Sequence, residues 1–443
     1  MVTPNAPDAS RPPAFVLLGG LRVILRNSVY LTELRDRGLK VLVLTSEDWR
    51  AETLRAMRSG EEPGALIDDA GFVEGDVAIE GGFTSGVIAH LMEWRSRYRI
   101  TGVFAAGEML VEQTGVAADL LGVPSPGLRA TRICRSKYLQ RAYLPEFSPR
   151  VRVVPPNGRD ALPASELPYP AVLKPAARRS SSGVRRIGGP RELAAALASY
   201  PAGETLLVEE AVDGPEYSVE AVVQHGNVVF DSVTAKRTNE QGTDRFVEMG
   251  HTVPAPDGPG TRQLLEANRA VVARLGFEDG IVHTELRLTA AGTVVLMEVA
   301  ARTPGDGILH LYHLATGRPL EREILRTALG ETVHAPAPRR VARQVYLETP
   351  QGVLEDVKVR HPQCAAPVWA ADGEAWPPLR PGAPQDPPAL RAVLVLRRRG
   401  DNIGPLTESG DRVVTFLIDA ATTAELDALE AEVRASVDVT VRR

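Results

Sequence analysis

Residues Gly280–Ile308 read GIVHTELRLTAAGTVVLMEVAARTPGDGI. Two β-like runs, HTELRLT and VVLMEVA, flank the turn-prone Ala290-Ala291-Gly292, and each run carries one carboxylate, Glu285 and Glu298. If the runs pair as a hairpin, side-chain alternation brings both carboxylates to one face, roughly 5 Å apart if they stand opposite each other. Like charges held that close call for a cation. A glutamate buried without a partner costs several kcal/mol, and a shared hard metal such as Mg²⁺ resolves the conflict. The competing reading is two solvated glutamates on an exposed hairpin face, and the surrounding chain has to decide between them.

The chain has 443 residues, enough for roughly two to four domains with a sizeable core. Its 51 basic and 56 acidic residues leave a net charge of -5, which argues against nucleic acid as a partner because phosphate binding needs a positive excess. No apolar run approaches the ~18 residues that cross a bilayer, and the start MVTPNAPDASRPP has neither a basic nor an apolar signal region. The expectation is a cytoplasmic enzyme without a membrane partner, with residues 1–13 a disordered leader. Cys134 and Cys364 lie far apart with no CxxC spacing, so no disulfide framework or zinc site is indicated.

Upstream, AFVLLGG, a helical stretch and LKVLVLTSE open a parallel α/β sheet, with DVAIEG and ITGVFAAGE as third and fourth strands of a doubly wound domain. Gly19-Gly20 is not a GxGxxG fingerprint, which weakens a dinucleotide reading. LLGVPSPG ends that domain. TRICRSKYLQRAYL then reads as a basic helix carrying Lys137. In YPAVLKPAARRSSSGVRRI, Lys174 ends a strand before a Ser- and Gly-rich loop. Such a loop can turn N–H groups and hydroxyls toward phosphate oxygens, although Arg178, Arg179, Arg185 and Arg186 could simply solvate it.

Between these regions, Leu206–Val208 starts a strand leading to Glu209-Glu210-Ala211-Val212 and a Gly214-Pro215 hinge, whose backbone could meet a purine edge. Glu248 and His251 share one element, and a lone histidine near a proline-rich bend is more often structural than catalytic. Beyond Ile308 come helices at His310–Thr316 and Pro319–Leu329. RQVYLETPQGVLEDVKV follows as a strand pair turning at Pro350-Gln351-Gly352, with His361 and Asp401 at the surface.

Taken in order, these features resemble the ATP-grasp ligases, and within them the L-amino-acid ligases that make dipeptides. The resemblance runs from Phe15 to about Asp438. It implies a mixed α/β and α+β multidomain fold: a Rossmann-like pre-ATP-grasp domain (14–125), an ATP-grasp lid subdomain (126–212), a large subdomain with the metal site (213–334) and a C-terminal α+β extension (335–443). It further implies that Lys137 and Lys174 hold ATP phosphates, that Ser180, Ser181, Ser182 and Gly183 cover them, and that Glu209, Glu210 and Val212 form the adenine hinge. Glu216 would bind ribose, and Glu285 and Glu298 would bind Mg²⁺. Glu248 and His251 resemble substrate-site residues, and Arg302 resembles the arginine beside the reacting carboxyl. Ala300 departs from the asparagine common two residues after the second metal ligand, which bears on a second Mg²⁺.

The implied reaction joins small-molecule carboxylate and amine substrates at the expense of ATP, through an acylphosphate, in an enzyme for which a homodimer is possible. Other ATP-grasp carboxylations or ligations would share the nucleotide residues. A regulatory ATP-binding protein is a third reading, and an oxidoreductase on the N-terminal domain a fourth.

Overall fold

The structure, a computed structural model, describes residues 10–442 except 77, 78, 80, 160, 161, 179, 242 and 373–375. Residues 1–9 of the expected leader and Arg179 therefore lie outside the described residues. At the N-terminal end, strands Asp69–Val73, Lys40–Ser46, Pro13–Leu18 and Arg99–Ala105 form a wholly parallel sheet in that spatial order. Ala14–Leu18 is fully buried, the continuous apolar run of a parallel strand covered on both faces. The third strand is not DVAIEG: pairing with Leu42–Ser46 runs through Asp69–Val73, and the described residues of DVAIEG form no strand.

A four-stranded antiparallel sheet follows, Val151–Val154, Leu206–Glu210, Ala171–Pro175 and Arg185–Ile187 in spatial order. The basic stretch before it is two helices, Leu128–Arg135 and Lys137–Tyr143, because Ser136 takes an extended conformation between them. That break puts Lys137 at the first turn of the second helix. Gln140, fully buried, pins this helix by exchanging hydrogen bonds with both the N–H and the carbonyl of Val299 at 3.0 Å.

A nine-stranded sheet carries the remainder. It begins with Val294–Ala300, Gly280–Leu288, Glu216–Gln224, Asn227–Thr238 and Glu248–Val253, and continues without a break into Val341–Tyr346, Val414–Ala420, Ala389–Val395 and Val368–Trp369. Helix Pro259–Leu275 packs Leu264, Val271, Val272 and Leu275 against the first four of these strands. The stretch before and after Pro350-Gln351-Gly352 does not close as a hairpin. Val341–Tyr346 stays in the large sheet, whereas Gly352–Val359 joins Asn402–Ile403 and Val437–Arg442 in a separate three-stranded sheet. His361 is not at the surface: it is 7% exposed, with Nε2 3.2 Å from Glu432. Among the described residues, no helix is long and apolar enough to cross a membrane.

Candidate functional site

In the hairpin, Glu285 and Glu298 are direct cross-strand partners. A bulge follows at once: Leu286 pairs with Leu296, leaving Met297 as the extra residue. Its carbonyl, outside the regular pairing, accepts from Arg141 Nη2 at 2.6 Å and from Lys174 Nζ at 3.4 Å. The bulge therefore both presents Glu298 and anchors two cations beside it. Lys137 Nζ reaches Glu298 Oε1 at 3.2 Å and donates to the carbonyl of Arg178 at 2.8 Å.

Lys174 is 7% exposed, and Glu209 stands 2.7 Å from its Nζ. Burial pulls the lysine below its ordinary range; Glu209 opposes this, and the result is about 8. Burial alone would raise the Glu209 carboxyl, but Lys174 and Arg141 outweigh it and hold it below the usual carboxylate range. The Glu209 side chain is thus committed to two cations, and Glu210, Ala211 and Val212 continue along the cavity wall. Glu210 pairs with Arg150 at 2.8 Å, and the Val212 carbonyl accepts from Arg287 at 3.0 Å.

Sequence reasoning missed Lys236. Its Nζ lies 2.6 Å from Glu285, 3.3 Å from Glu216 and 3.5 Å from Glu248, with the side chain 1% exposed. Oxygens of those three glutamates lie within 4.8 Å of one another, spacing that suits a metal ion. Here the ammonium already sits among them. Burial would depress Lys236, but the three carboxylates lift it well above the ordinary lysine range. Glu285 is in turn held well below the carboxylate range, Lys236 and His283 overcoming the effect of burial. The only signal in the sequence was a lysine on an alternating strand, indistinguishable there from a surface charge.

As a donor set, the facing pair Glu285 and Glu298 suits a hard divalent cation, because both line the cavity and offer carboxylate oxygens. Ala300 lines the same cavity and offers no ligand atom.

Ser180 and Ser181 take left-handed φ values of 58° and 57°, and Gly183 follows at 73°. Such a turn aims successive N–H groups to one side. A Cβ at Gly183 would approach Arg178 and Pro175 at 3.0 Å, a tight fit that adds to the preference for glycine set by its φ. Ser181 Oγ donates to the Phe246 carbonyl at 2.9 Å, and the Ser180 carbonyl accepts from the Ser409 N–H at 3.2 Å. Arg178 and Arg186 are committed to Glu204 and Asp213.

At the other end, Arg302 Nε donates to Glu108 at 2.7 Å and its Nη1 to the Thr303 carbonyl at 2.8 Å. Glu248 accepts from Ser409 Oγ at 2.9 Å. His251, 2% exposed, is 2.8 Å from Asp306 through Nε2, and Asp306 is gripped by both terminal nitrogens of Arg412 at 2.7 and 2.9 Å. Glu108, Asp306, Ser409 and Arg412 were not singled out from sequence; they come from three separate segments, Ser409 and Arg412 sharing one. All the expected residues named above except Gly183 line one cavity of about 450 Å³.

A family model for the ATP-grasp domain matches residues 167–309. Residues 167–309 of the chain therefore carry an ATP-grasp domain. Its fold is similar to that of the L-amino acid ligase from Bacillus licheniformis, with a TM-score of 0.74 at 21% identity over 98% of this chain and 100% of that one. It is 31% identical over 247 residues to the uncharacterized protein y4rH of Sinorhizobium fredii, covering 53% of this chain and 50% of that protein. It is also 28% identical over 186 residues to the ATP-grasp enzyme fsqD of Aspergillus fumigatus, covering 39% and 32%. The match thus spans half of the first relative and about a third of the second.

Proposed function

We propose that this protein is an ATP-dependent ligase that joins a carboxylate, preferably of an amino acid, to an amine through an acylphosphate. One observation carries the reading: the Lys137, Lys174 and Glu285–Glu298 cluster and Arg302 line the same continuous cavity. A nucleotide whose phosphates meet the lysines would then direct its terminal phosphoryl group toward a carboxylate beside Arg302. The likeness to the L-amino acid ligase supports the fold; the substrates are our inference.

A carboxylate is a poor electrophile, and phosphorylation makes it a good one. Mg²⁺ held by Glu285 and Glu298 would supply charge neutralisation at the phosphates. Lys137 and Lys174 bind and orient those phosphates, and the Ser180–Gly183 turn covers them and excludes water, which would otherwise hydrolyse the acylphosphate. Arg302 stabilises the oxyanion formed when the amine adds. The amine nitrogen bonds to the acyl carbon, the acyl–oxygen bond to phosphate breaks, and ADP, phosphate and the amide are released.

The test is hydroxylamine trapping. With ATP, Mg²⁺ and the carboxylate substrate but no amine, hydroxylamine yields a hydroxamate if the acylphosphate forms. ADP release with no hydroxamate from any carboxylate that turns over removes this mechanism.

A further inference from the structure

Arg26 ends the helix Leu21–Arg26 and lines the cavity from the side of the N-terminal domain. Its Nε is buried with no hydrogen-bond partner, and among the described residues no carboxylate forms an ion pair with its guanidinium. The group lies beside the Trp376 ring, 5.7 Å from its centroid, and that ring packs against His310 at 4.9 Å. The neighbouring charges do not satisfy it. Arg302 and Arg412 repel it, and Asp306 is already bound by Arg412 and His251. Burial pulls the guanidinium below its ordinary range, with partial relief from Asp306 and Tyr346.

A half-buried cation on a cavity wall with no counter-ion favours an anion beside it, and a planar guanidinium is shaped for two oxygens of a carboxylate. Arg302 and Arg412 each have their own carboxylate, Glu108 and Asp306. Among the described residues, Arg26 is the cation on this wall left without a carboxylate.

We propose that Arg26 receives a substrate carboxylate that does not react. The chemistry is a compact planar anion carried either by the amine substrate, as the free carboxylate of an amino acid, or by the acyl substrate, as a second acid group. The inference rests on the ligase reading above, because only that reading makes the carboxylate at Arg302 the reacting one. It also sets the substrate class: at least one substrate bears an acid group that survives into the product.

The experiment uses the full chain with Mg-ATP. Pairs of L-amino acids are screened for ADP release, and for the fastest pair each non-reacting carboxylate is replaced in turn by its primary amide. In the unsubstituted protein, one replacement is expected to lower kcat/KM by roughly tenfold or more, as for the loss of a charge-assisted hydrogen-bonded pair, and which replacement does so identifies the source. Arg26→Gln is expected to collapse the acid-to-amide ratio toward unity, and Arg26→Lys to keep part of it. No ratio in the unsubstituted protein, or a ratio unchanged in Arg26→Gln, overturns the proposal. If no pair releases ADP, the ligase reading fails, and thermal shifts with succinate and L-glutamate against their diamides decide the subsite alone. Stabilisation by the acids that disappears in Arg26→Gln supports it. Equal shifts for acid and amide, no shift, or shifts that persist in the variant overturn it.

Discussion

Lys174 and Glu209 form a buried ion pair, Nζ to Oε2 2.7 Å, that fastens the two central strands of the four-stranded sheet and hands the second carboxylate oxygen to Arg141. Removing one member leaves the others buried and unbalanced. Glu209→Gln is expected to cost roughly 3–5 kcal/mol of stability by urea unfolding and to push Lys174 further below about 8. An unfolding midpoint within experimental error of the parent would mean the pair is structurally idle.

The same lysine predicts a pH dependence. Its folded value of about 8 lies below the ordinary 10.5, so the folded state releases the proton first. This group's contribution to stability is therefore lowest below pH 8 and rises between about 8 and 10.5. Phosphate binding runs the other way, since the positive charge is lost above pH 8. Calorimetric titration with ADP should show affinity falling above pH 8 in the parent and a flatter profile in Lys174→Met.

Lys236 stands where a cation would otherwise be needed among Glu216, Glu248 and Glu285. Lys236→Met should leave three carboxylates facing one another, an arrangement that either takes up protons or recruits a divalent ion. The expected result is a thermal transition lowered without Mg²⁺ and raised by millimolar Mg²⁺ more than in the parent. Identical Mg²⁺ responses would show that the lysine is not acting as the cluster's cation.

Arg302 is held by Glu108 at 2.7 Å, which fixes the guanidinium before any substrate arrives. Arg302→Gln should lower kcat by about two to three decades, the loss of one oxyanion donor, with ADP affinity unchanged. Because this removes the nearer of two arginines paired with Glu108, leaving only Arg135 at 3.7 Å, the Glu108→Gln, Arg302→Gln double variant is the control. It should regain stability without regaining rate, and a recovered rate would reduce Arg302 to a structural role.

Glu321, 3% exposed and with Oε2 unpartnered, is pushed up to about 7 by burial, with a smaller push from Glu33. Between about 4.5 and 7 the folded state keeps a proton that the unfolded chain has lost, so stability falls as pH rises through that window. Glu321→Gln is expected to stabilise the protein at pH 8 by up to about 3 kcal/mol, and by less at pH 5. Urea unfolding at the two pH values checks this, and an equal effect at both would contradict it.

Local chemistry is what the amino-acid sequence determined. The opening hairpin, with Glu285 opposite Glu298, follows from alternation and a turn-forming glycine, which are short-range properties. The strand ending at Lys174 and the Ser-rich turn after it were legible for the same reason, and the order of these pieces was enough to resemble a superfamily. Tertiary structure alone decided what each charge faces. Ion pairing depends on distances across the fold: Lys236 looks like any strand lysine until three glutamates from three strands surround it. The bulge at Met297, the break at Ser136 and the separation of Gly352–Val359 from Val341–Tyr346 arise from packing and register, which no local pattern encodes. The hairpin's two carboxylates were readable from the chain; that one is matched to Lys236 and the other to Lys137 was settled by long-range electrostatics in a low-dielectric cavity.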